Sequence, residues 1–194
     1  MKKSLLLSVL ALALSANIAF AEESVIFGFE NGLQGWDVPE WAYEKPDHVQ
    51  KEIKVTKTVT KEGTQAMEIV AAFPGGSWSG AIIEVQQYFD WSDYTAIAYD
   101  VYIPAEAPAG LKTKMILTVG DTWQWVEMSK DVELIPGQWV TVQASLVPGS
   151  IDWRRVQVDD KFRRDVRKMD IRVVSEGKPV YSGSIYIDNI RLIK

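Results

Sequence analysis

The sequence contains 194 residues, a length that suits one domain with a sizeable core. It carries 21 basic against 26 acidic residues, a net charge of −5, which argues against nucleic acid as a partner because phosphate contacts favour a basic surface. It has no cysteine, which excludes disulfides, thiolate metal sites and cysteine nucleophiles, and its single histidine excludes a His/Cys transition-metal cluster.

The first residues predict a secretory signal peptide. A basic MKK start and an apolar run are followed by an Ala-Phe-Ala cleavage pattern ending at Ala21. The run is too short to favour a membrane span, and no later stretch is long and apolar enough to be one. We therefore expect a secreted or periplasmic protein whose mature chain, residues 22–194, forms one domain. Without Lys2 and Lys3 this chain has 19 basic against 26 acidic residues, a net charge of −7.

The mature chain is predicted to consist of short strands separated by turns rich in Gly, Pro and Asn. In chain order, the strands are predicted at residues 24–30, 48–59, 64–73, 79–89, 95–104, 111–119, 124–130, 139–146, 168–175 and 183–193. Helical turns are credible only near residues 90–94 and 159–168. Frequent strands with little helical periodicity indicate an all-β fold, an antiparallel β-sandwich.

Alternation within these strands separates core positions from positions that face away from the core. The predicted core set is Ile97, Tyr99, Val101, Ile103, Met115, Leu117, Val119, Val126, Met128, Ile171 and Val173. The predicted outward set is Asp100, Tyr102, Lys114, Trp123, Trp125, Glu127, Thr141, Gln143, Ser145, Asp170 and Arg172. If these strands are neighbours in one sheet, its outer face carries aromatic rings, carboxylates, amides and a guanidinium.

Trp123 and Trp125 are unexpected on a face that is not core, because large apolar side chains normally lie inside. Such a face suits a sugar, whose C–H face stacks on indole and whose hydroxyls bond to Asp, Glu, Gln and Arg. Two alternatives stay open at this point. One is a solvated sheet face with scattered aromatics. The other is a protein-interaction or adhesion surface, for which a continuous apolar patch would be expected.

Four motifs, in order along the chain, carry a family resemblance: FGFENGLQGW at 27–36, TVGDTWQWVE at 118–127, LIPGQWVTV at 134–142 and SGSIYIDNIRLI at 182–193. With them the chain resembles the non-catalytic carbohydrate-binding modules of the jelly-roll, galactose-binding-like type that are attached to mannanases and β-glucanases. The resemblance implies a polysaccharide or oligosaccharide ligand, such as mannan or a β-glucan, that is bound and not cleaved. It also implies that Trp36 and Trp139 are structural.

The resemblance and the strand pattern together define a set of candidate ligand-binding residues. Trp125 and Trp123 match the family's sugar-stacking position, and Trp78, on a Gly-rich loop, is a candidate rim platform or else folds onto the core. Trp41 is a candidate for a further wall. The side chains expected to bond sugar hydroxyls are Asp100, Tyr102, Glu127 and Arg172. A module without an attached catalytic domain would act beside glycan-degrading enzymes encoded separately.

The resemblance also implies a structural calcium ion. The family's acidic ligands match Glu30 and Asp188, and calcium prefers hard oxygen ligands of this kind. An ion tying the first strand to the last would support a domain without disulfides. The alternative is that Asp188 and Asn189 only cap a turn.

A β-sandwich glycoside hydrolase or polysaccharide lyase remains the enzymatic alternative. The chain lacks the Glu-x-Asp pair found on the catalytic strand of sandwich glucanases, and a hydrolase needs two carboxylates across the scissile bond. The Asp131–Glu133 pair is predicted to lie at a strand edge. His48, in a polar stretch, is expected to be exposed and not part of a serine triad.

Overall fold

The computed structural model describes residues 21–177 and 179–194, so the predicted signal peptide, apart from Ala21, lies outside the described residues. In this part of the chain, eleven strands and two short helices follow one another. They are β1 (Glu23–Phe27), α1 (Glu40–Tyr43), β2 (Gln50–Thr56), β3 (Ala66–Phe73), β4 (Trp78–Phe89), β5 (Ala96–Tyr102), β6 (Leu111–Val119), β7 (Gln124–Glu127), β8 (Val132–Glu133), β9 (Trp139–Ser145), α2 (Asp160–Arg164), β10 (Val166–Glu176) and β11 (Tyr181–Ile193).

The strands form two antiparallel sheets. A six-stranded sheet has the order β2-β3-β11-β5-β9, and β1 pairs with the second half of β11, in line with β3. A five-stranded sheet has the order β4-β10-β6-β7, with β8 pairing β6 beyond the end of β7. The predicted fold class, an antiparallel β-sandwich, is therefore confirmed.

The core lies between the two sheets, as the alternation of apolar residues requires. Every residue of the predicted core set is buried, from Ile97 on β5 to Val173 on β10. Large aromatic side chains contribute to the core, among them the fully buried Trp36, Trp91 and Phe29. The structural role expected of Trp36 is consistent with its 2% exposure.

The predicted secondary structure differs from the observed one where turns and tertiary contacts determine the local conformation. Helix α2 coincides with part of the predicted helical turn at 159–168, and the Asp159 side chain caps it by accepting a hydrogen bond from the Phe162 amide. The predicted helical turn at 90–94 is not a helix, and α1 and β8 were not predicted. None of the helices in the described part of the chain has the length or apolar character of a membrane span.

Candidate functional site

Five of the seven predicted ligand-binding residues lie on or beside the solvent side of the five-stranded sheet. They are Trp78, Trp123, Trp125, Glu127 and Arg172. Residues directly opposite each other in an antiparallel pair share a face. Trp125 of β7 is opposite Thr118 of β6, which in turn is opposite Lys168 of β10. In this way the register brings side chains from four strands onto one surface, which we call the outer face.

The other two predicted residues, Asp100 and Tyr102, are not on this surface. They belong to β5, which pairs with β9 and β11 in the six-stranded sheet. The expectation that all these outward positions share one sheet is therefore wrong, because alternation determines the side of a strand that a residue occupies but not the sheet the strand joins. Thr141, Gln143 and Ser145 of β9 are on the six-stranded sheet for the same reason.

The side-chain environments of Asp100 and Tyr102 are internal to the protein. Asp100 is 0% exposed and accepts hydrogen bonds from Arg191 Nη1 at 2.8 Å and Asn189 Nδ2 at 3.0 Å, and also from the Thr141 hydroxyl. The half-buried Tyr102 ring lies 5.5 Å from the Trp139 ring, centroid to centroid. The bonds of Asp100 hold β5, β9 and β11 together on the side away from the outer face.

Four of the eight tryptophans are exposed, and they lie toward opposite ends of the outer face. Trp78 is 40% and Trp41 is 39% exposed at one end, while Trp125 is 40% and Trp123 is 43% exposed at the other. Aromatic side chains that belong to a core are covered by other residues. Indoles that are this exposed instead offer apolar surface to a partner.

The Trp78 end is an aromatic cluster around the single histidine. The His48 ring lies 4.9 Å from the Trp41 ring and 5.8 Å from the Trp78 ring, centroid to centroid. Its Nδ1 is 2.9 Å from Asp47 Oδ1, which holds the pKa of that carboxyl below its usual value. The prediction that His48 is exposed is wrong, since only 10% of its side-chain surface is exposed. The backbone bridge between His48 and Gly80 of β4 places the His48 ring under the two indoles.

Gly80 leaves room for the Trp78 indole against strand β4. A Cβ atom at Gly80 would lie only 3.1 Å from Cη2 and 3.3 Å from Cζ2 of Trp78. The guanidinium carbon of Arg172 is 5.9 Å from the centroid of the same ring, within the range of a cation–π contact. Trp78 therefore lies along the sheet toward the middle of the face, and the alternative that it folds into the core does not hold.

At the other end, Trp125 is oriented by two polar partners. Its Nε1 donates a hydrogen bond of 3.0 Å to Glu127 Oε1, two residues along the same strand face. Lys168 Nζ lies 5.4 Å from the centroid of the ring. An indole whose N–H is already bonded keeps its orientation when a ligand arrives, which reduces the entropy lost on binding.

Between the two ends runs a charged row. Lys114 Nζ is 2.7 Å from Asp131 Oδ1 and 3.6 Å from Glu127 Oε2, and Arg172 Nη2 is 3.3 Å from the same Glu127 oxygen. Burial alone would raise the pKa of Glu127, but the Trp125 hydrogen bond and the charges of Arg172 and Lys114 together hold it below its usual value. Glu127 is thus an anionic acceptor in the centre of the face.

Asp170 lies beneath this row and is 0% exposed. It is opposite Glu84 of β4, and Lys168 Nζ is 3.4 Å from its Oδ1 and 2.8 Å from Glu84 Oε2. Burial raises the pKa of Asp170 to about 7, the Lys168 charge lowers it and the Glu84 charge adds to the rise. The carboxyl therefore changes its protonation state near neutral pH without being open to a ligand.

Trp123 precedes β7 and does not share its strand geometry, contrary to the prediction. Its φ is 54°, in the left-handed region, and its amide bonds to the Gly120 carbonyl at 3.0 Å in a turn. The guanidinium carbon of Arg167 lies 5.5 Å from the Trp123 ring and 5.4 Å from the exposed Tyr88 ring. Trp123 thus extends the outer face at its rim, with a cation already on one side of the ring.

The two predicted calcium ligands, Glu30 and Asp188, both bind the loop between β2 and β3. Glu30 Oε1 accepts hydrogen bonds from the Thr64 and Gln65 amides at 2.8 and 3.0 Å, and its Oε2 accepts one from the Thr64 hydroxyl at 2.7 Å. Asp188 Oδ2 accepts hydrogen bonds from the amides of residues 61 and 62 at 2.8 and 3.0 Å, and its Oδ1 accepts one from the Asn189 amide at 2.7 Å.

These hydrogen bonds determine how much acceptor capacity the two carboxylates keep for a calcium ion. Glu30 Oε2 and Asp188 Oδ1 each accept one hydrogen bond in the described residues and so retain acceptor capacity for a cation. Burial raises the pKa of Asp188, and the charge of Glu30 adds to the rise. Within residues 21–177 and 179–194, no three His, Cys, Asp or Glu side chains form a metal-holding group. Each of the two carboxylates thus has an oxygen atom of the hard kind that calcium prefers.

The carboxylates of the outer face suit binding better than hydrolysis. A glycosidase needs two carboxyl groups that both reach the scissile bond. Asp170 has no exposed surface, Glu84 is bonded to Lys168, and Glu127 is held by Trp125, Arg172 and Lys114. The arrangement offers fixed donors and acceptors between apolar platforms.

The fold is an antiparallel β-sandwich, and several solved structures that are similar to it are carbohydrate-binding modules. The CBM27-1 module of Caldicellulosiruptor saccharolyticus in complex with mannohexaose aligns with a TM-score of 0.60 at 16% identity, over 88% of this chain and 96% of that chain. The family 11 module of Clostridium thermocellum in complex with a β-1,3-1,4-mixed-linked tetrasaccharide aligns with a TM-score of 0.55 at 18% identity, over 90% and 96%.

The chain belongs to carbohydrate binding module family 27, whose sequence model matches residues 37–194. A second family member, TmCBM27, described for specific mannan recognition, aligns with a TM-score of 0.54 at 19% identity, over 90% of this chain and 96% of that chain. A comparison with curated protein sequences gives no significant match. The predicted resemblance to jelly-roll carbohydrate-binding modules is confirmed, and with it a carbohydrate as the class of ligand.

Proposed function

We propose that the outer face of the five-stranded sheet binds a β-linked mannan chain, with β-glucan as the second ligand class, and does not cleave it. The observation that carries this proposal is the pair of exposed indoles, Trp78 and Trp125, on either side of a charged row. Mannohexaose is the ligand of one family member and mannan that of another, whereas a mixed-linkage glucan occupies the family 11 module.

The dimensions of the face suit an oligosaccharide rather than a single sugar. Val174 of β10 is opposite Gly80, where the Trp78 indole lies, and Lys168 contacts Trp125. These two β10 residues are six positions apart, roughly 20 Å at the rise of a strand. In the proposed complex, Trp78 and Trp125 each cover the C–H face of a sugar ring, and Glu127 and Arg172 bond hydroxyls between them. Trp41 and Trp123 extend the platform at its two ends.

The distribution of apolar surface favours a sugar over a protein partner. A protein interface has an apolar centre and a polar rim. Here the order is reversed, because the exposed tryptophans are peripheral and Lys114, Glu127 and Arg172 occupy the centre. Alternating platforms and hydroxyl-binding groups match a chain of pyranose rings.

Isothermal titration with mannohexaose, cellohexaose, xylohexaose and mixed-linkage glucan tests the proposal. We expect saturable binding of mannohexaose with a Kd in the micromolar range, because a few aromatic contacts of roughly 0.5–1.5 kcal/mol each add to modest area burial. Trp78→Ala and Trp125→Ala should each weaken binding by about tenfold or more, since each removes a large apolar platform. The same samples after overnight incubation should contain no shortened products.

Tyr102→Ala is the matched control, since it removes an aromatic side chain from the opposite sheet. It should leave the affinity for mannohexaose unchanged. Retained affinity in Trp125→Ala, or loss of affinity only in Tyr102→Ala, would place the site elsewhere. Binding to none of the glycans would favour the protein-interaction alternative, and shortened products would show a hydrolase or lyase.

We also propose that Glu30 and Asp188 hold a structural calcium ion. When bound, calcium would neutralise the Asp188 carboxylate, whose pKa burial and the charge of Glu30 raise, together with Glu30, and would tie the loop after β1 to β11. Removal of calcium with a chelator should lower the unfolding temperature, since a ligand at about 100 times its Kd stabilises by about 2.7 kcal/mol. Glu30→Gln should abolish the response to added calcium. An unchanged unfolding temperature, with no calcium by elemental analysis, would show that the amide hydrogen bonds alone make this tie.

The proposed place of action is outside the cytoplasm, beside enzymes that degrade the same glycan. The predicted cleavage site after Ala21 supports this proposal. Mass spectrometry of the exported protein should find Glu22 as the first residue, and retention of residues 1–21 in cytoplasmic protein would contradict it.

A further inference from the structure

A recess at the edge of the outer face lies directly beside Trp125. Its lining residues are Trp125, Glu127, Arg154 and Arg155. Arg154 and Arg155 come from the long connection between β9 and β10, and neither lies within one of the eleven strands. They are two adjacent cations at the rim of a binding face in a chain whose net charge is −5.

The backbone that carries these arginines is attached firmly to the end of β7. The Arg154 amide donates to the Glu127 carbonyl at 2.8 Å, and the Ser129 amide donates to the Asp152 carbonyl at 2.7 Å. Between them, Trp153 is 3% exposed, and its Nε1 donates to the Ser145 carbonyl at 2.8 Å. The segment 152–154 therefore extends the five-stranded sheet at its edge and fixes the arginines relative to Trp125.

The cations of the recess are not neutralised by its one acid. Glu127 is already shared by Arg172 and Lys114, at 3.3 and 3.6 Å. Arg154 donates from Nε and Nη2 to the neutral Ser129 carbonyl, at 3.2 and 3.1 Å. Arg155 is exposed and makes no hydrogen bond or ion pair with any residue that the structure describes. Positive charge beside Trp125 thus exceeds the available carboxylate.

The backbone conformation of Arg155 is one that often occurs at functional sites. Its φ is 61°, in the left-handed region that non-glycine residues seldom adopt, and Trp123, two residues before Trp125 in the chain, has a φ of 54°. Such conformations cost roughly 1–3 kcal/mol each and concentrate at ligand-binding sites. Glycine or asparagine would adopt this conformation more easily than arginine.

We infer that this recess binds an anionic group on a branch of the glycan whose backbone lies across the outer face. The inference rests on the proposed function, because it places the branch beside the sugar ring that covers Trp125. A guanidinium presents a planar fork of donors that matches a carboxylate, a sulfate or a phosphate. Arg155, with the free Nη1 of Arg154, would bind the anion, and Glu127 would disfavour a second negative group deeper in the face.

Two oligomannosides with the same backbone test the inference: one carries a glucuronic acid branch and the other a neutral galactose branch. Titrations at about 20 mM and about 200 mM salt separate charge-dependent binding from the rest. We expect the acidic ligand to bind about tenfold more tightly at low salt, and this preference to shrink at high salt. Sulfated and phosphorylated branches in the same series identify the anion that fits best.

Arg155→Gln should remove the preference for the acidic branch and leave the affinity for the neutral ligand unchanged. Arg164→Gln, the same charge change on an exposed residue of α2 outside the recess, should retain the preference. Equal affinity of the native protein for the two branches, or equal weakening of both by Arg155→Gln, would overturn the inference while the proposed function stands. Failure to bind the neutral ligand at all would instead reject the proposed function.

Discussion

At the scale of single residues, the outer face depends on how neighbours hold each indole. Trp125 is oriented by its bond to Glu127, whereas Trp78 has a place to lie only because residue 80 has no side chain. Neither arrangement involves the core, so substitutions here should alter binding with little effect on stability. Asp170 is the opposite case, because it is fully buried and its protonation affects the folded state.

Gly80→Val should displace the Trp78 indole and weaken mannohexaose binding several-fold. The added Cβ would meet Cη2 of Trp78 at 3.1 Å, closer than an ordinary contact, and the extra methyl groups would occupy the space the ring now fills. Titration measures the effect, and circular dichroism checks the fold. Gly28→Ala is the control, since its Cβ would meet Val25 at an ordinary 3.5 Å. Undiminished binding by Gly80→Val would show that Trp78 is not a platform.

Asp170 should make stability fall as the pH rises toward neutrality. Burial raises its pKa in the folded protein to about 7, so the folded state holds this proton more tightly than the unfolded state does. The free energy of unfolding should therefore decrease between about pH 4 and pH 7, by at most roughly 1.4 kcal/mol per pH unit, and this contribution should level off above pH 7.

Asp170→Asn provides the comparison, because an amide of the same size cannot ionise. Urea unfolding at a series of pH values should give similar stabilities for the two proteins near pH 4 to 5, and a relative gain for the variant at pH 8. Glu84→Gln should lower the pKa of Asp170 by removing a facing negative charge. Parallel pH profiles for native protein and Asp170→Asn would contradict this account.

At the scale of elements, the loop between β2 and β3 joins strands that are distant in sequence. Glu30 follows β1 and Asp188 is on β11, and both accept amide hydrogen bonds from residues 61–65. The carboxylate of Glu30 approaches the loop at Gly63, whose φ is 58°. The loop thus lies at the junction where β1 and β3 follow each other in line beside β11.

Gly63→Ala should destabilise the domain by roughly 1–3 kcal/mol. A Cβ at this position would overlap Glu30 Oε1, and the left-handed backbone adds strain. Thermal unfolding should show a midpoint lower by several degrees, at about 2–4 °C per kcal/mol for a domain of this size. Gly32→Ala separates the two causes, since its φ is 91° but its Cβ would meet nothing within 4 Å. Equal losses in both variants would show that only backbone strain matters.

At the scale of the whole molecule, the first and last strands of the described residues pair with each other in the six-stranded sheet. Glu23 of β1 is opposite Ile193 of β11, and the two sheets share one core. Contacts this distant in sequence require large loops to close before they form, and this slows folding. We expect refolding in the range of about milliseconds to seconds, measured by stopped-flow tryptophan fluorescence, and microsecond refolding would contradict this expectation.

Strand β5 shows which features of the fold could be predicted from the sequence and which could not. Its apolar alternation predicted Ile97, Tyr99, Val101 and Ile103 as core, and all four are buried. The same alternation placed Asp100 and Tyr102 away from the core, but it could not show that they lie on the sheet opposite Trp125. Arg154 and Arg155 were not predicted, and their irregular segment carries no periodic signal that relates them to β7.

The sequence by itself determined most of the strands, their inward and outward sides, the class of fold and the exposed character of Trp125, because these depend on local periodicity and on which side chains water tolerates. Only the tertiary structure decided which strands are neighbours, and hence that Trp78 shares a face with Trp125 and that His48 lies beneath two indoles. Strand pairing is a choice among distant partners with similar local patterns. It is settled by how the whole core packs and by which loops can close, and no short stretch of sequence contains that information.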